Sequence, residues 1–144
     1  MIMAKIGRLL KQIRLNNGLI LYFEDHSREA THGHRQVRLL VRMPITPAPE
    51  HFSGYEDPER ALREFMALAD GPVEYRVEKI RNFVDEKKAE KALDQMTAEF
   101  ESGMDYLENP KFTGAYLRKK FEEMRKAKEV SELHREWIRK SEEK

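Results

Sequence analysis

The chain has 144 residues, and its 27 basic and 26 acidic side chains leave a formal net charge of only +1. It contains no cysteine, which excludes disulfide bonds, thiol catalysis and zinc sites with cysteine ligands. No stretch approaches the roughly 20 apolar residues of a membrane-spanning helix, and the first residues lack the apolar core of a signal peptide. These features predict a cytoplasmic protein without a membrane segment.

The first predicted element is a β-hairpin whose turn lies at Asn17-Gly18. Two apolar-rich runs meet there, and the Asn-Gly pair accepts the positive φ angles of a two-residue type I′ turn. We therefore expect strands at about residues 8–15 and 19–24.

A two-residue loop also predicts the register of this hairpin. It pairs Leu15 with Ile20 and Ile13 with Tyr22, so these four side chains would share one face of the sheet. The opposite face would then carry Gln12, Arg14, Leu21 and Phe23.

A third strand is predicted at about residues 36–43, because apolar side chains recur there at every second position. A polar loop joins it to the hairpin and contains His26, His32 and His34. Imidazole is a ligand of zinc, nickel and copper, so these three histidines are the candidate metal ligands. Their spacing matches no structural motif, and polar loops collect histidines without a function, so we predict no cofactor.

A helix is predicted at about residues 58–70, since Asp57 is a favourable N-cap and Pro58 suits the first helical position. Residues 73–83 follow, and their alternation of apolar and charged side chains predicts a fourth strand. A helix at 73–83 remains an alternative, because several of the apolar residues also recur at helical spacing.

Two helices are predicted in the last part of the chain. A sustained apolar stripe predicts one at about residues 85–108, which Asn109-Pro110 ends. The short connection to the segment 111–144 favours an antiparallel helical hairpin. Apolar residues of this last segment recur on average every ~3.3 residues rather than 3.6, so its stripe drifts around the helix or the helix breaks near Ser131.

Together these elements predict an α+β fold with an antiparallel sheet of three to four strands covered by helices on one face. Residues 1–110 would form the body. Residues 111–144 would form a C-terminal helix that packs on the body, with its last turns detached or folded back.

The end of the last helix carries the candidate partner-binding residues Leu133, Trp137 and Ile138. They form a short amphipathic patch with the only tryptophan of the chain, and such patches dock on a partner or on a second copy. The main functional prediction is therefore a non-catalytic binding or regulatory module that acts through protein contacts.

The alternative function is nucleic-acid binding by the basic sheet and the C-terminal helix. Arg14, Arg38 and Arg42 lie near Tyr22 in the predicted sheet, and a basic sheet with aromatic side chains can hold a single strand. The competing interpretation is structural: the arginines pair with acidic residues such as Glu74 and Glu78 of the fourth strand.

Motifs of common enzyme classes are missing from the sequence. It contains no glycine-rich phosphate loop, no G-x-S-x-G elbow and no H-E-x-x-H. We therefore name no catalytic residue and favour a protein without catalytic activity.

Overall fold

The computed structural model describes residues 7–143. It has an α+β fold, which confirms the predicted class, and its chain divides into two compact units. Unit 1 combines Met1–Ile45 with Glu74–Pro110, and unit 2 combines Thr46–Val73 with Lys111–Lys144. The described strands are β1 (Arg8–Arg14), β2 (Ile20–Asp25), β3 (Arg28–Thr31), β4 (His34–Pro44) and β5 (Glu74–Asp85), and the α-helices are α1 (Pro58–Leu68), α2 (Ala89–Ser102) and α3 (Pro110–Glu142).

Unit 1 contains all five described strands in one antiparallel sheet. β4 pairs with β2 and β3 along one edge and with β5 along the other, and β1 pairs with β2. Because β5 occupies the residues that we expected as the fourth strand, the helical alternative there is wrong.

One face of this sheet forms the core of unit 1. α2 packs against β4 and β5, and the rings of Phe23 and Phe100 meet edge to face with their centroids 5.7 Å apart. Such burial, at about 25 cal/mol per Å² of apolar surface, is the main force that holds a helix on a sheet. The fully buried strand residues on this face are Leu21, Phe23, Val37, Leu39, Val41 and Met43.

The hairpin forms as expected, but its predicted register is wrong by one residue. Ile13 pairs with Leu21, because the loop contains three residues rather than two. The Leu15 carbonyl accepts a hydrogen bond from Gly18 N–H at 3.0 Å, and among the turn residues only Gly18 has a positive φ, of 86°. A turn followed by one left-handed residue is the usual three-residue hairpin loop. Tyr22 therefore lies on the face opposite to Ile13.

Contacts with a later segment hold this turn in place. A 3₁₀ turn at Met104–Glu108 follows α2, and Asn16 Nδ2 donates a 2.8 Å hydrogen bond to the carboxylate of Glu108. Asn17 Nδ2 donates to the Leu107 carbonyl at 3.1 Å. These bonds involve residues about 90 positions apart in the chain, so no local pattern could have predicted them.

The predicted polar loop before β4 is mostly a strand. The backbone N–H of His26 donates to the Arg38 carbonyl at 2.9 Å, and the Ser27 hydroxyl accepts from Arg38 N–H at 3.0 Å. β3 then continues along the same edge of β4, and a tight turn at Gly33 with φ of 76° ends it. All side chains of β3 are exposed, so the alternation that identifies a half-buried strand is missing there.

The single helix predicted at residues 85–108 is interrupted. α2 ends at Ser102, and the N–H of Gly103 donates to the Phe100 carbonyl at 3.1 Å. 3₁₀ turns occupy the two ends of the predicted range, at Glu86–Lys88 and Met104–Glu108.

Unit 2 is built around a cluster of aromatic rings. Phe52, Phe65 and Phe121 are fully buried, and their ring centroids lie 5.5 to 6.0 Å apart. Phe65 belongs to α1, which begins at Asp57 as expected, since the Asp57 carboxylate accepts from Arg60 N–H at 3.2 Å. Phe121 belongs to α3, so α1 shares a compact unit with the last helix, although we expected it in the body with the sheet. The helical hairpin of the two last helices stays a prediction.

We expect Gly18→Ala to destabilise unit 1 by about 1 kcal/mol, because an L-residue in the left-handed region is strained. Gly103→Ala is the matched control: both positions have open space around an added Cβ, but only Gly18 has a positive φ. Thermal unfolding of both variants checks this, and equal losses would contradict the role of Gly18 in the turn.

Candidate functional site

The burial of α3 changes half-way along its 33 residues. Its first half is anchored in the core of unit 2 through Thr113, Gly114, Leu117 and Phe121. From Arg125 onward, by contrast, every described residue of the chain is exposed. The helix runs through Ser131 without a break, so the predicted break at that position is wrong.

Four large apolar side chains lie on this exposed half, and we call them the apolar strip: Val130, Leu133, Trp137 and Ile138. Their exposed fractions are 57%, 59%, 66% and 39%, respectively. The ring of His134 stacks on the indole of Trp137, with the planes 17° apart. The strip contains the three predicted partner-binding residues and adds Val130, whose spacing of three and seven residues from Leu133 and Trp137 was the available signal.

The apolar strip and the buried face lie on nearly opposite sides of α3. At about 100° per residue, the mean direction of the strip is roughly 160° from that of the buried residues of the first half. The stripe drift expected from the sequence is therefore present. It means that the apolar strip is a separate surface and not the solvent-exposed end of the core.

Local interactions support the exposed half of α3. Glu136 and Lys140 are 3.4 Å apart in the favourable order, with the acidic residue one turn before the basic one. Such pairs contribute only about 0.3–0.5 kcal/mol each, so continuity with the buried half must supply the rest. The strip is thus presented on a helix that is already formed, which reduces the entropy lost on binding.

No protein-family model, curated protein or solved structure matches this chain. Within residues 7–143, no helix combines the length and the apolar character needed to cross a membrane.

The residues of the nucleic-acid alternative lie on the open face of the sheet in unit 1. The Arg42 guanidinium lies over the ring of Tyr22, 4.6 Å from its centroid. Arg42 Nε also donates to Glu24 at 2.8 Å, and Arg38 Nε donates to Glu78 at 2.8 Å. Alternation along β1 places Arg14, which is exposed, on the same face.

Two of the three arginines, Arg38 and Arg42, thus form ion pairs with carboxylates. Arg42 also reaches Glu74 at 3.4 Å, so the competing interpretation, in which β5 supplies the acidic partners, describes the observed pairs. Glu24 was not foreseen, because its contact with Arg42 depends on the pairing of β2 with β4, which the sequence did not predict. These pairs reduce the positive potential that a phosphate backbone would meet.

Glu24 is the central acid of this network. Burial by itself would raise its pKa, but the hydrogen bonds and positive charges of His26 and Arg42 together outweigh burial and hold the pKa below the ordinary 4.5. The carboxylate is therefore ionised at neutral pH and links β2 to β4 through Arg42.

The three candidate metal ligands do not come together. His26 Nε2 lies 3.0 Å from the carboxylate of Glu24, which belongs to the sheet network. His34 Nδ1 lies 3.2 Å from the His32 carbonyl in the turn between β3 and β4. Among residues 7–143, no three or more histidine and acidic side chains form a group that could hold a metal ion.

We expect Glu24→Gln to lower the free energy of unfolding at neutral pH, with a loss that shrinks as the pH falls below about 4.5. Because the folded-state pKa of Glu24 is lowered, its stabilisation is present above its unfolded pKa and disappears as the carboxylate is protonated. Urea unfolding between about pH 3 and pH 7 measures this. Glu29→Gln, at an exposed position of β3, is the control, and a pH-independent loss at Glu24 would contradict the ionic role.

A chain that ends at Val130 should unfold within about 0.5 kcal/mol of the full chain, because the removed residues make no core contacts. Phe121→Ala, in the buried half of α3, should cost about 3–5 kcal/mol. The fluorescence of Trp137 in the dilute full chain should be that of a water-exposed indole. A truncation as damaging as Phe121→Ala, with blue-shifted emission, would instead place the strip in a packed core.

Proposed function

We propose that this protein is a non-catalytic binding module whose contact surface is the apolar strip of α3. One observation carries the proposal: an unbroken helix leaves the core half-way along and presents its exposed apolar side chains opposite to its buried face. The cytoplasmic location predicted from the sequence is part of this proposal.

The spacing of the strip supports a helix-in-groove mode of recognition. Val130, Leu133 and Trp137 lie at positions i, i+3 and i+7, which is how an amphipathic helix places its anchors into an apolar groove of a partner. Tryptophan is among the residues that dominate interface energies. We therefore assign the main anchor to Trp137, which is the most exposed residue of the strip.

The border of the strip is polar and carries both signs of charge. A mixed border of this kind is typical of the rim of a protein interface, where it orients the partner more than it adds affinity. The charged residues next to the strip on α3 are Lys126, Glu129, Glu136 and Lys140.

Nucleic-acid binding by the sheet remains the second proposal. Arg14 and the Tyr22–Arg42 pair favour it, whereas the partners of Arg38 and Arg42 oppose it, since neutralised arginines release few counterions from a nucleic acid. This balance makes it the weaker of the two proposals.

Affinity capture from the protein's own cell lysate should distinguish them. The double variant Leu133→Ala, Trp137→Ala should lose the captured protein, since removing an anchor of this kind weakens binding by about 30-fold. Glu132→Ala with Arg139→Ala, on the other side of the same helical segment, is the matched control and should retain it. Nuclease treatment should change neither result.

Two outcomes would contradict the main proposal. One is equal capture by all three proteins, and the other is capture that depends on nucleic acid and on Arg14. Sedimentation velocity over a range of concentrations separates a foreign partner from self-association, because only self-association shifts the sedimentation coefficient of the pure protein. The double variant should remove that shift as well.

A further inference from the structure

A cleft of about 480 Å³ lies in unit 1 between β5 and α2. Met96 and Phe100 of α2 line it on one side, and Val77 of β5 lines it on the other. Met96 is almost fully buried and Phe100 is half-buried, so the inner part of the cleft is apolar. Its volume is within the range of small-molecule pockets, which are apolar with a few placed polar groups.

Three charged side chains line the same cleft, and one of them is unpaired. Arg81 donates to Glu99 at 3.2 Å and to Gln95 at 3.4 Å, so its guanidinium is held against α2. Lys79 makes no hydrogen bond or ion pair with any residue that the structure describes. Lys79 and Arg81 against Glu99 leave the lining with one formal positive charge.

The register of β5 explains why this lysine faces the cleft. Lys79 pairs across the sheet with Leu39, a fully buried residue of the core face, and it shares that face with Val77 and Arg81. A lysine that only prevents edge-to-edge pairing of strands does not require an apolar cleft next to it. Lys79 is exposed and lines the cleft together with the apolar side chains of Val77 and Phe100.

We propose that this cleft binds an amphipathic monoanion, a medium-chain or aryl carboxylate, whose apolar body contacts Met96 and Phe100 and whose carboxylate accepts hydrogen bonds from Lys79 Nζ. Burial of apolar surface favours any apolar ligand body, because the hydrophobic effect is non-directional. The unpaired ammonium group of Lys79 then favours a ligand with a negatively charged head group. This site is separate from the apolar strip and does not depend on the protein-binding proposal.

Gly103 provides a way to close the cleft without touching its charges. It lines the cleft, its φ is −121°, and a Cβ built on it meets no atom within 4 Å. Gly103→Leu therefore places a side chain in open space beside Phe100 without backbone strain.

The test uses sodium octanoate as the probe, with octylammonium and 1-octanol as ligands of the same length. The full chain is labelled at its methionine methyl groups and titrated by NMR, and Met96→Leu assigns the Met96 signal. We expect octanoate to shift that signal in a saturable way. Octylammonium should shift it little, and octanol should bind about tenfold more weakly than octanoate.

Two cleft variants and one control complete the design. Lys79→Gln should weaken octanoate about tenfold, and Gly103→Leu should abolish the Met96 shift while the thermal unfolding curve shows that the fold is kept. Lys87→Gln, at an exposed lysine outside the cleft, should leave binding unchanged. Equal binding of octylammonium, an unshifted Met96 signal, or full affinity in Lys79→Gln would each overturn the proposal.

Discussion

The pairing of β4 with three other strands is the constraint on which unit 1 depends. β4 is hydrogen-bonded along both edges, and Val37, Leu39, Val41 and Met43 of its core face are all buried. Because side chains alternate along a strand, a slip of one residue would exchange this apolar set for one that contains Arg38 and Arg42. The register of β4 thus determines at the same time which residues form the core and which charges appear outside.

The charged features of unit 1 follow from that register. With Val41 directed inward, Arg42 must point to the open face, where Glu24 of β2 is close enough to accept its hydrogen bond. On β5 the same alternation places Lys79 on the core face, opposite Leu39, while its neighbour Ile80 pairs with Arg38. The acid-sensitive network and the proposed anion cleft are therefore two consequences of one pairing, on opposite faces of the sheet.

In unit 2 a single helix, α3, has a buried first half and an exposed second half. The aromatic cluster around Phe121 fixes the first half of α3, so the second half is held in a helical conformation without a core of its own. Substitutions in the second half should therefore have little effect on folding, because the packed core of unit 2 does not depend on them.

Several features of this protein follow from the sequence alone, because they depend on neighbours along the chain. The alternation over residues 36–43 identifies β4, Asp57-Pro58 marks the start of α1, and Asn17-Gly18 marks the hairpin turn. The sequence also indicated an apolar patch of Leu133, Trp137 and Ile138, and all three side chains are exposed. Each of these signals lies within a few residues, where helix and strand periodicity operate.

Only the tertiary structure decided the features that depend on distant partners. The hairpin register required a three-residue loop held by Asn16 and Glu108. β3 pairs with residues of β4 that are close in the chain, but its exposed side chains show no alternation that could have predicted it. The sequence likewise did not decide whether Trp137 is exposed or buried, since an apolar stripe that drifts around the helix is compatible with both. For the hairpin register, hydrogen bonds between residues about 90 positions apart made the choice, and a local pattern contains no information about them.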